Sequence, residues 1–400
     1  MTPLEESQMT QKRAPLVNVS AMPLAMGIAF VAFTTQFGGG FASGAQIYSY
    51  FIRYGIWCLI FPLITQGLYA FFFWYGMRYS YKHKTFDYRT FSDSFYGKTR
   101  YVMSNLHEVC YLIMIFTASA AAFATGGSTI NTLLGIPYGV CTLIVAVFIF
   151  LVTMFGTKVV RSAASTLSVL ILIGLLVVLV PNIIAQHAAI GDAIHRMAGG
   201  EMSVLSNGQT GAPGPALWMA VLYFFFQLAS VSVMYSHMDA VTDTKQTDRA
   251  AIGMFLCNFC AMELSIIGLL AVAFAPALAD ASVPMLVLVQ SGVGAKVLTP
   301  VISILIILGA ISTGVNMISG IVTRCVNAVE RRMPEEKRGQ GHLGRNAVFT
   351  LIFTLISFGI AQFGLMAVVQ KGYAYLGYAA LIVLFIPMVY RMLRYRFRDI

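Results

Sequence analysis

Gln36-Phe37-Gly38-Gly39-Gly40-Phe41-Ala42-Ser43-Gly44 lies in the middle of an apolar run that covers residues 22 to 52. Each glycine inside a helix costs about 1 kcal/mol relative to alanine, so three in a row and a fourth soon after predict that the helix breaks here. Irregular backbone at membrane depth survives only against protein or a water-filled cavity, because an unsatisfied amide in hydrocarbon costs several kcal/mol. A break frees carbonyls at the end of the first half-helix and N–H groups at the start of the second, suited to a cation and to an anionic group respectively. Gln36, Ser43 and Gln46 add polar side chains to the same stretch. The competing reading is a continuous helix whose small residues let a neighbour approach closely.

The rest of the chain is built from similar runs. Of its 400 residues, 58% are hydrophobic and 10% charged, with a mean hydropathy of +0.77. Water-soluble domains carry about 25% charged residues, so this composition belongs to an integral membrane protein. The net charge of +10, from 26 Lys and Arg against 16 Asp and Glu, would suggest nucleic acid in a soluble chain. Nucleic-acid binders cluster that charge on a polar surface, however, and little is available here. Cys58, Cys110, Cys141, Cys257, Cys260 and Cys325 all lie in apolar stretches without secreted-domain spacing. They are read as packing residues, not as a disulfide framework.

A membrane span takes about 20 mostly apolar residues. Ten runs qualify: 22–52, 55–80, 101–128, 136–156, 163–186, 213–238, 250–275, 297–328, 346–368 and 372–391. Residues 1–21 form a polar tail, and the run behind it is too long for a cleaved signal segment. Sorting every Lys and Arg onto the resulting loops puts 22 on one side and 4 on the other, the four being Arg53, Arg196, Lys296 and Lys371. Cytoplasmic segments carry the basic excess, so both termini are expected in the cytoplasm. The Gly- and Pro-rich stretch 187–212 is expected to link two five-helix halves, 22–186 and 213–391, with 392–400 as a basic tail. Five spans per half bring the second half into the membrane from the opposite side, the inverted-topology pair of many secondary transporters.

Ionisable residues at membrane depth are functional candidates, since a charge there costs about 2.5 to 3.5 kcal/mol on insertion scales. Glu263 lies at the midpoint of the seventh run, and Glu108 lies in the third, beside Asn105 and His107. Each is a candidate proton carrier or partner for a cationic solute. The alternatives are a hydrogen-bonded structural carboxyl for Glu263 and an interfacial position for Glu108. Ser312 and Thr313 present adjacent hydroxyls within the apolar eighth run. Together with carbonyls freed near the glycine break they could complete an oxygen site for Na⁺, a hard cation, or they could bond their own backbone one turn back. In the sixth run, Tyr223-Phe224-Phe225-Phe226 goes all round a helix, so only one or two rings can line a site. Tyr223 and Phe226, with Gln227 and Ser230, are the candidates, suited to a ligand of apolar or cationic character. Residues 280–294 are too short to span and are expected to form an external lid.

Enzyme signatures fail at each place where they begin. His107-Glu108 opens a zinc-protease pattern, but Tyr111 stands where the second His is needed. Gly40 to Gly44 reads G-x-x-S-G instead of G-x-S-x-G, with no His nearby to activate Ser43. Cys257 and Cys260 have C-x-x-C spacing in an apolar helix without a second ligand pair.

Gly38-Gly39-Gly40-Phe41-Ala42-Ser43-Gly44-Ala45-Gln46 resembles the first-helix signature of the YkvI-like bacterial membrane proteins, and Ser312-Thr313-Gly314-Val315-Asn316-Met317-Ile318-Ser319-Gly320 is similar to that family's Thr-rich motif. These proteins belong to the amino acid–polyamine–organocation superfamily with the LeuT fold. The resemblance implies an all-α membrane protein of ten transmembrane helices in a five-plus-five inverted repeat, with discontinuous first and sixth helices. It also implies alternating-access transport of a small organic solute, an amino acid or related amine, in a bacterial-type inner membrane. By the same resemblance, Ser312 and Thr313 correspond to a sodium site between the first and eighth helices. Gln46 departs from the family pattern, which carries an acid after the Ser-Gly, and this puts proton coupling through the first helix in doubt. No glycine marks an interruption of the sixth run; only Gln227, Ser230 and Ser232 could ease local unwinding there.

The substrate-binding set expected from sequence is therefore Gln36, Phe37, Gly38, Gly39, Gly40, Ser43, Gly44 and Gln46 from the break, with Tyr223, Phe226, Gln227 and Ser230 opposite. No cofactor is expected beyond Na⁺ or H⁺ as coupling ion, and no partner beyond the solute and the lipid bilayer. The reading from another class is a channel or membrane sensor that keeps the fold without coupled transport. The charge distribution makes a direct prediction about orientation. In intact cells, an impermeant maleimide labels Lys296→Cys and leaves Lys245→Cys unlabelled; the reverse pattern would invert the topology.

Overall fold

The computed structural model describes residues 23–155, 157–334 and 341–400, with the side chains of residues 157–168 also outside the description. The tail 1–21, with Lys12 and Arg13, lies outside the described residues, as do Glu335, Glu336, Lys337 and Arg338 and the side chains of Lys158 and Arg161.

The regular structure of the described residues is helical. The first apolar run divides into α1 (Leu24–Gln36), α2 (Gly39–Ala42) and α3 (Ala45–Tyr50). A 3₁₀ segment, Ile52–Leu59, then meets α4 (Phe61–His83) at 79°. The short α5 (Tyr88–Tyr96) is capped by Asp87, whose carboxylate accepts from the N–H groups of Arg89 and Thr90, both at 3.0 Å. Next come α6 (Arg100–Leu134), α7 (Tyr138–Phe155) and α8 (Thr157–Ala185), the last bending by 77° into α9 (His187–Ala198). The second half contains α10 (Pro213–Leu228), α11 (Ser232–Tyr235), α12 (Thr244–Leu270), α13 (Pro284–Gln290), α14 (Ala295–Glu330) and α15 (His342–Ala361). It closes with α16 (Leu365–Ala367), α17 (Tyr373–Ala380) and α18 (Ile386–Tyr395), joined by π-helical turns at Val368–Gly372 and Leu381–Phe385.

By length and apolar composition, seven of these helices can cross a membrane, or up to nine when each bent pair is one span. The first run stands apart because α1 to α3 divide it into pieces that are individually too short. Burial sorts the spans into inner and outer. The most apolar windows of Tyr88–Leu134 and Pro213–Tyr235 are 72% buried, whereas those of α7 and α15 are 33% and 17% buried. On α7 the exposed residues Val140, Leu143, Ile144, Val147, Phe148 and Leu151 repeat at helical spacing and form one continuous apolar stripe. Such a face has no place in water, and it fits a hydrocarbon solvent.

Three connecting stretches are themselves structured. In the link 187–212, α9 occupies the first half and buries Ile190, Ala193 and Met197. Within residues 280–294, α13 buries Pro284, Met285, Leu286, Leu288 and Val289 against the bundle. The basic tail after residue 391 folds back, with Asp399 accepting from Tyr75 Oη at 2.8 Å and from Arg391 Nε at 3.0 Å. In each case apolar side chains or one acid within a polar or short stretch find burial that only the tertiary fold supplies.

If the exposed stripe of α7 meets lipid, Val147→Arg costs about 2.5 to 3.5 kcal/mol of insertion free energy. The expected outcome is a sharp fall in membrane-inserted protein by fractionation. Unchanged yield, as for an ordinary surface substitution, would put that face in water.

Candidate functional site

The first helix stops at Phe37, which has φ −85° and ψ 49°, and Gly38 continues in extended backbone at φ −75° and ψ −179°. The chain re-enters a helix for one turn, then turns through Gly44 at φ 82°, a left-handed conformation that only glycine adopts without strain. The break predicted from the glycines is therefore present, and the continuous-helix alternative is overturned. Phe37 N–H still reaches Phe33 O at 2.8 Å, and the carbonyl of Gly38 accepts from Phe41 and Ala42 at 3.0 and 3.1 Å. Among the described residues no backbone acceptor serves the N–H groups of Gly38, Gly39 or Gly40. At the second discontinuity the Ser43 carbonyl accepts from Met285 N–H of α13 at 3.0 Å. The Ser43 hydroxyl donates to Gly40 O at 3.0 Å, which ties the turn to itself.

Opposite the break stands Tyr223 of α10, fully buried. Its hydroxyl accepts from Gln227 Nε2 at 3.3 Å and from Gln36 Nε2 at 3.5 Å, and donates to Gln46 Oε1 at 3.4 Å. A phenol has one donor and two acceptor lone pairs, so this junction uses all of its capacity. The three bonds are long, beyond the usual range of about 2.7 to 3.2 Å. Gln36 Oε1 remains buried and without a partner among the described residues. Aromatic rings wall the junction: Tyr50 and Phe51 lie 5.5 and 5.2 Å from Tyr223 by centroid, and Phe226 stacks near Tyr373 at 4.7 Å. No acid or base takes part in the junction. Of the expected set, Gln36, Gln46, Tyr223 and Gln227 share this junction, with Phe226 in its wall. Phe37 instead packs between Phe33 and Phe41, at 4.9 and 4.1 Å. The hydroxyl of Ser230 is occupied by Gln227 O at 2.7 Å.

The expected interruption of the sixth run takes another form. At Ala229–Val231 the helix tightens to 3₁₀, and the dihedral angles stay helical from Leu228 to Ser232. Here the chain changes pitch; it does not open as it does at Phe37 and Gly38.

On the other side of the break, the missing side chains admit two hydroxyls. A Cβ on Gly38 would stand 3.3 Å from Thr313 Oγ1, and one on Gly39 would stand 3.0 Å from Thr125 Oγ1. Thr313 donates to Gly309 O one turn back at 2.9 Å, which leaves its oxygen lone pairs free. Ser312 is half-buried on the same turn. Thr125 is fully buried, and its hydroxyl has no partner among the described residues. Sequence reasoning missed Thr125. The only signal was its place in the small-residue stretch Thr117 to Ser128, all of it buried. The Thr313 hydroxyl thus lies beside the bare backbone of Gly38 with acceptor capacity to spare.

The two carboxylates lie elsewhere. Glu108 pairs with Arg324 of α14 and accepts from the Tyr88 hydroxyl, with the guanidinium 4.3 Å over the Tyr88 ring. Glu263 is half-buried on α12, and its Oε1 is shielded without a partner among the described residues. Neighbouring His107 is a buried bridge, with Nδ1 2.6 Å from Ser92 Oγ and Nε2 3.4 Å from Ser232 Oγ.

No known family model matches the chain, and no curated protein matches it. Solved structures do. A substrate-bound, outward-open Na⁺-coupled sialic acid symporter matches with a TM-score of 0.60 at 11% identity, over 94% of this chain and 80% of that one. A mutant of the manganese transporter from Eremococcus coleocola matches with a TM-score of 0.54 at 15% identity, over 92% and 78% respectively. These are LeuT-fold transporters, and the chain shares their fold.

Tyr223→Phe keeps the ring and removes the hydroxyl on which three glutamines meet. The buried amides then lose partners, at about 1 to 3 kcal/mol. A lower thermal midpoint in detergent is expected; an unchanged midpoint would mean that the three long bonds contribute nothing.

Proposed function

We propose that this chain is a secondary transporter that moves a small organic solute, an amino acid or related amine, by alternating access. The observation that carries this reading is the junction at Tyr223, where a broken first helix and the sixth span are held together by neutral, long hydrogen bonds within an aromatic wall. A solute with its own donors and acceptors can exchange for such bonds at little cost, and the wall offers apolar surface to the rest of it. Two helices that meet through their ligand are also free to separate when it leaves, which alternating access requires.

Ten spans in a five-plus-five inverted repeat account for the packing. Numbered by the ten apolar runs, exchanging spans one to five with six to ten turns several of the larger contacts into others that also exist. The α1–α12 contact becomes α10–α4, α6–α7 becomes α14–α15, and α6–α15 becomes α14–α7. The α6–α14 and α4–α12 contacts map onto themselves. This correspondence supports the repeat. The two glycine- and threonine-bearing motifs keep the resemblance to YkvI-like proteins, and the basic face is assigned to the cytoplasm.

For coupling, we assign Thr313, with Ser312 beside it and carbonyls of the first-helix break, to Na⁺, and keep Glu263 as the candidate for a proton. Counterflow in proteoliposomes with a panel of labelled amino acids and amines tests the function. Saturable exchange is expected, and its absence with every solute would leave a channel or sensor. Replacing Na⁺ by choline should reduce uptake at least tenfold, and Thr313→Val should raise the Na⁺ concentration for half-maximal uptake by a similar factor. Uptake indifferent to Na⁺ but altered in its pH profile by Glu263→Gln would assign the coupling to the proton instead.

A further inference from the structure

Where α5 meets the start of α6, a cavity of about 390 Å³ is lined by Arg89, Asp93, Arg100, Tyr101 and Asn105. It lies on the side where the basic residues collect, and none of the residues of the Tyr223 junction lines it. From its edge α6 runs on with an apolar outer face. Val102, Leu106 and Val109 are exposed, and steps of four and three residues keep them on one stripe. Tyr101 and Asn105, four apart, form the neighbouring row that turns into the cavity. Such a stripe fits hydrocarbon, and an aromatic ring as exposed as Tyr101, at 75%, suits the boundary between hydrocarbon and headgroups. The cavity therefore stands at the level where a lipid divides into polar head and acyl chain.

Arg89 is already engaged: it donates to Asn105 Oδ1 at 3.3 Å and pairs with Asp93, one turn along α5, at 3.4 Å. Arg100 is not. It takes part in none of the ion pairs among the described residues, whereas Arg78, Arg324, Arg345 and Arg391 on the same side each hold an acid. Its guanidinium lies 5.1 Å from the centre of the Tyr101 ring, and Nη2 donates to Tyr101 Oη at 3.3 Å. That uses one of five N–H donors, and it leaves the Tyr101 hydroxyl its own proton to donate. A guanidinium held flat against a ring presents the fork that meets two phosphate oxygens at once. Two arginines and one aspartate give the cavity a net charge of about +1. One phosphodiester balances that charge; a divalent cation meets it with the wrong sign. An occupant would also brace α5 against α6, and α5 in turn stacks Phe91 on Tyr235 at the end of the sixth span, 3.9 Å between centroids.

We infer that this cavity binds the headgroup of a membrane phospholipid with one net negative charge, its phosphodiester on Arg100 with Arg89 as the second cation and its acyl chains along Val102, Leu106 and Val109. Basic pockets between membrane helices take anionic headgroups in this way. The site does not depend on what solute the chain moves, or on whether it moves one.

The test is a thermal-shift titration of the full chain, delipidated in a neutral detergent, with four probes: phosphatidylglycerol, phosphatidylcholine and diacylglycerol of the same chains, and sodium phosphate. Phosphatidylglycerol should raise the melting point at concentrations at least tenfold below those needed of the other two lipids, and free phosphate should not reproduce the shift. Arg100→Gln should raise the half-maximal phosphatidylglycerol concentration at least fivefold, with Arg100→Lys recovering part of the loss. Arg394→Gln is the control, because Arg394 is also exposed, donates to a tyrosine hydroxyl at 2.8 Å and is in none of the ion pairs, yet lines no such cavity. It should leave the titration unchanged. Asp93→Asn removes the one acid of the cavity and should strengthen binding at least threefold, a gain that a damaged fold cannot imitate. Equal response to phosphatidylglycerol and phosphatidylcholine, or equal loss in Arg100→Gln and Arg394→Gln, would overturn the site in favour of a diffuse basic surface. A shift that free phosphate reproduces would overturn the lipid as its occupant, and weaker binding in Asp93→Asn would overturn the charge argument.

Discussion

The backbone groups released where the first span stops being helical have to be satisfied out of reach of water, and much of the molecule is arranged around that requirement. At the Gly44 turn, α13 enters the bundle and Met285 donates its N–H to Ser43 O. On the Gly38 and Gly39 side, α14 and α6 bring threonine hydroxyls within contact of bare backbone. Toward the sixth span, Gln36 and Gln46 reach from either side of the break to one phenol. The N–H groups that remain unmatched sit within this shell, enclosed by protein on every side that the helices supply.

That arrangement also explains where the bundle is tight and where it is loose. Beside Gly38 and Gly39 the neighbours are the β-branched Thr313 and Thr125; Thr117 to Ser128 of α6 is buried without a gap. At Tyr223 the contacts are longer, aromatic and uncharged, so they orient without locking. Charge is held at the ends of the helices: Arg78 with Asp248 at 2.9 Å, Arg324 with Glu108, Arg391 with Asp399 at 3.0 Å. Ion pairs at that depth keep partial contact with water and avoid the full desolvation penalty of the interior.

The glycine break was legible because helix propensity is a property of consecutive residues. Gln36 and Gln46 were legible as its polar flanks. Tyr223 was visible only as one of four aromatic residues circling a helix, and no local rule could say which ring turned inward. Thr125 gave less, since a threonine in a helix of small residues looks the same whether it faces a site or bonds its own backbone. For residues 280–294 the apolar run bounded by polar turns showed that the segment packs, but not that it packs against the Gly44 turn. Arg100 entered the sequence reading as one of the 22 basic residues on one side. Its place outside the ion pairs is a statement about every acid in the fold, which a single stretch cannot contain.

Transfer free energies and helix propensities add residue by residue along the chain, so the sequence by itself determined that this is a helical membrane protein, which runs are apolar, where the basic charge collects and where the first span breaks. Contacts do not add in that way. Gln36 meets Tyr223 across 187 positions, and Glu108 meets Arg324 across 216. The tertiary structure alone decided that three glutamines share one hydroxyl, that α13 plugs the break, and that Arg100 lines a cavity, because each depends on how rigid helices pack against one another and not on what any of them contains.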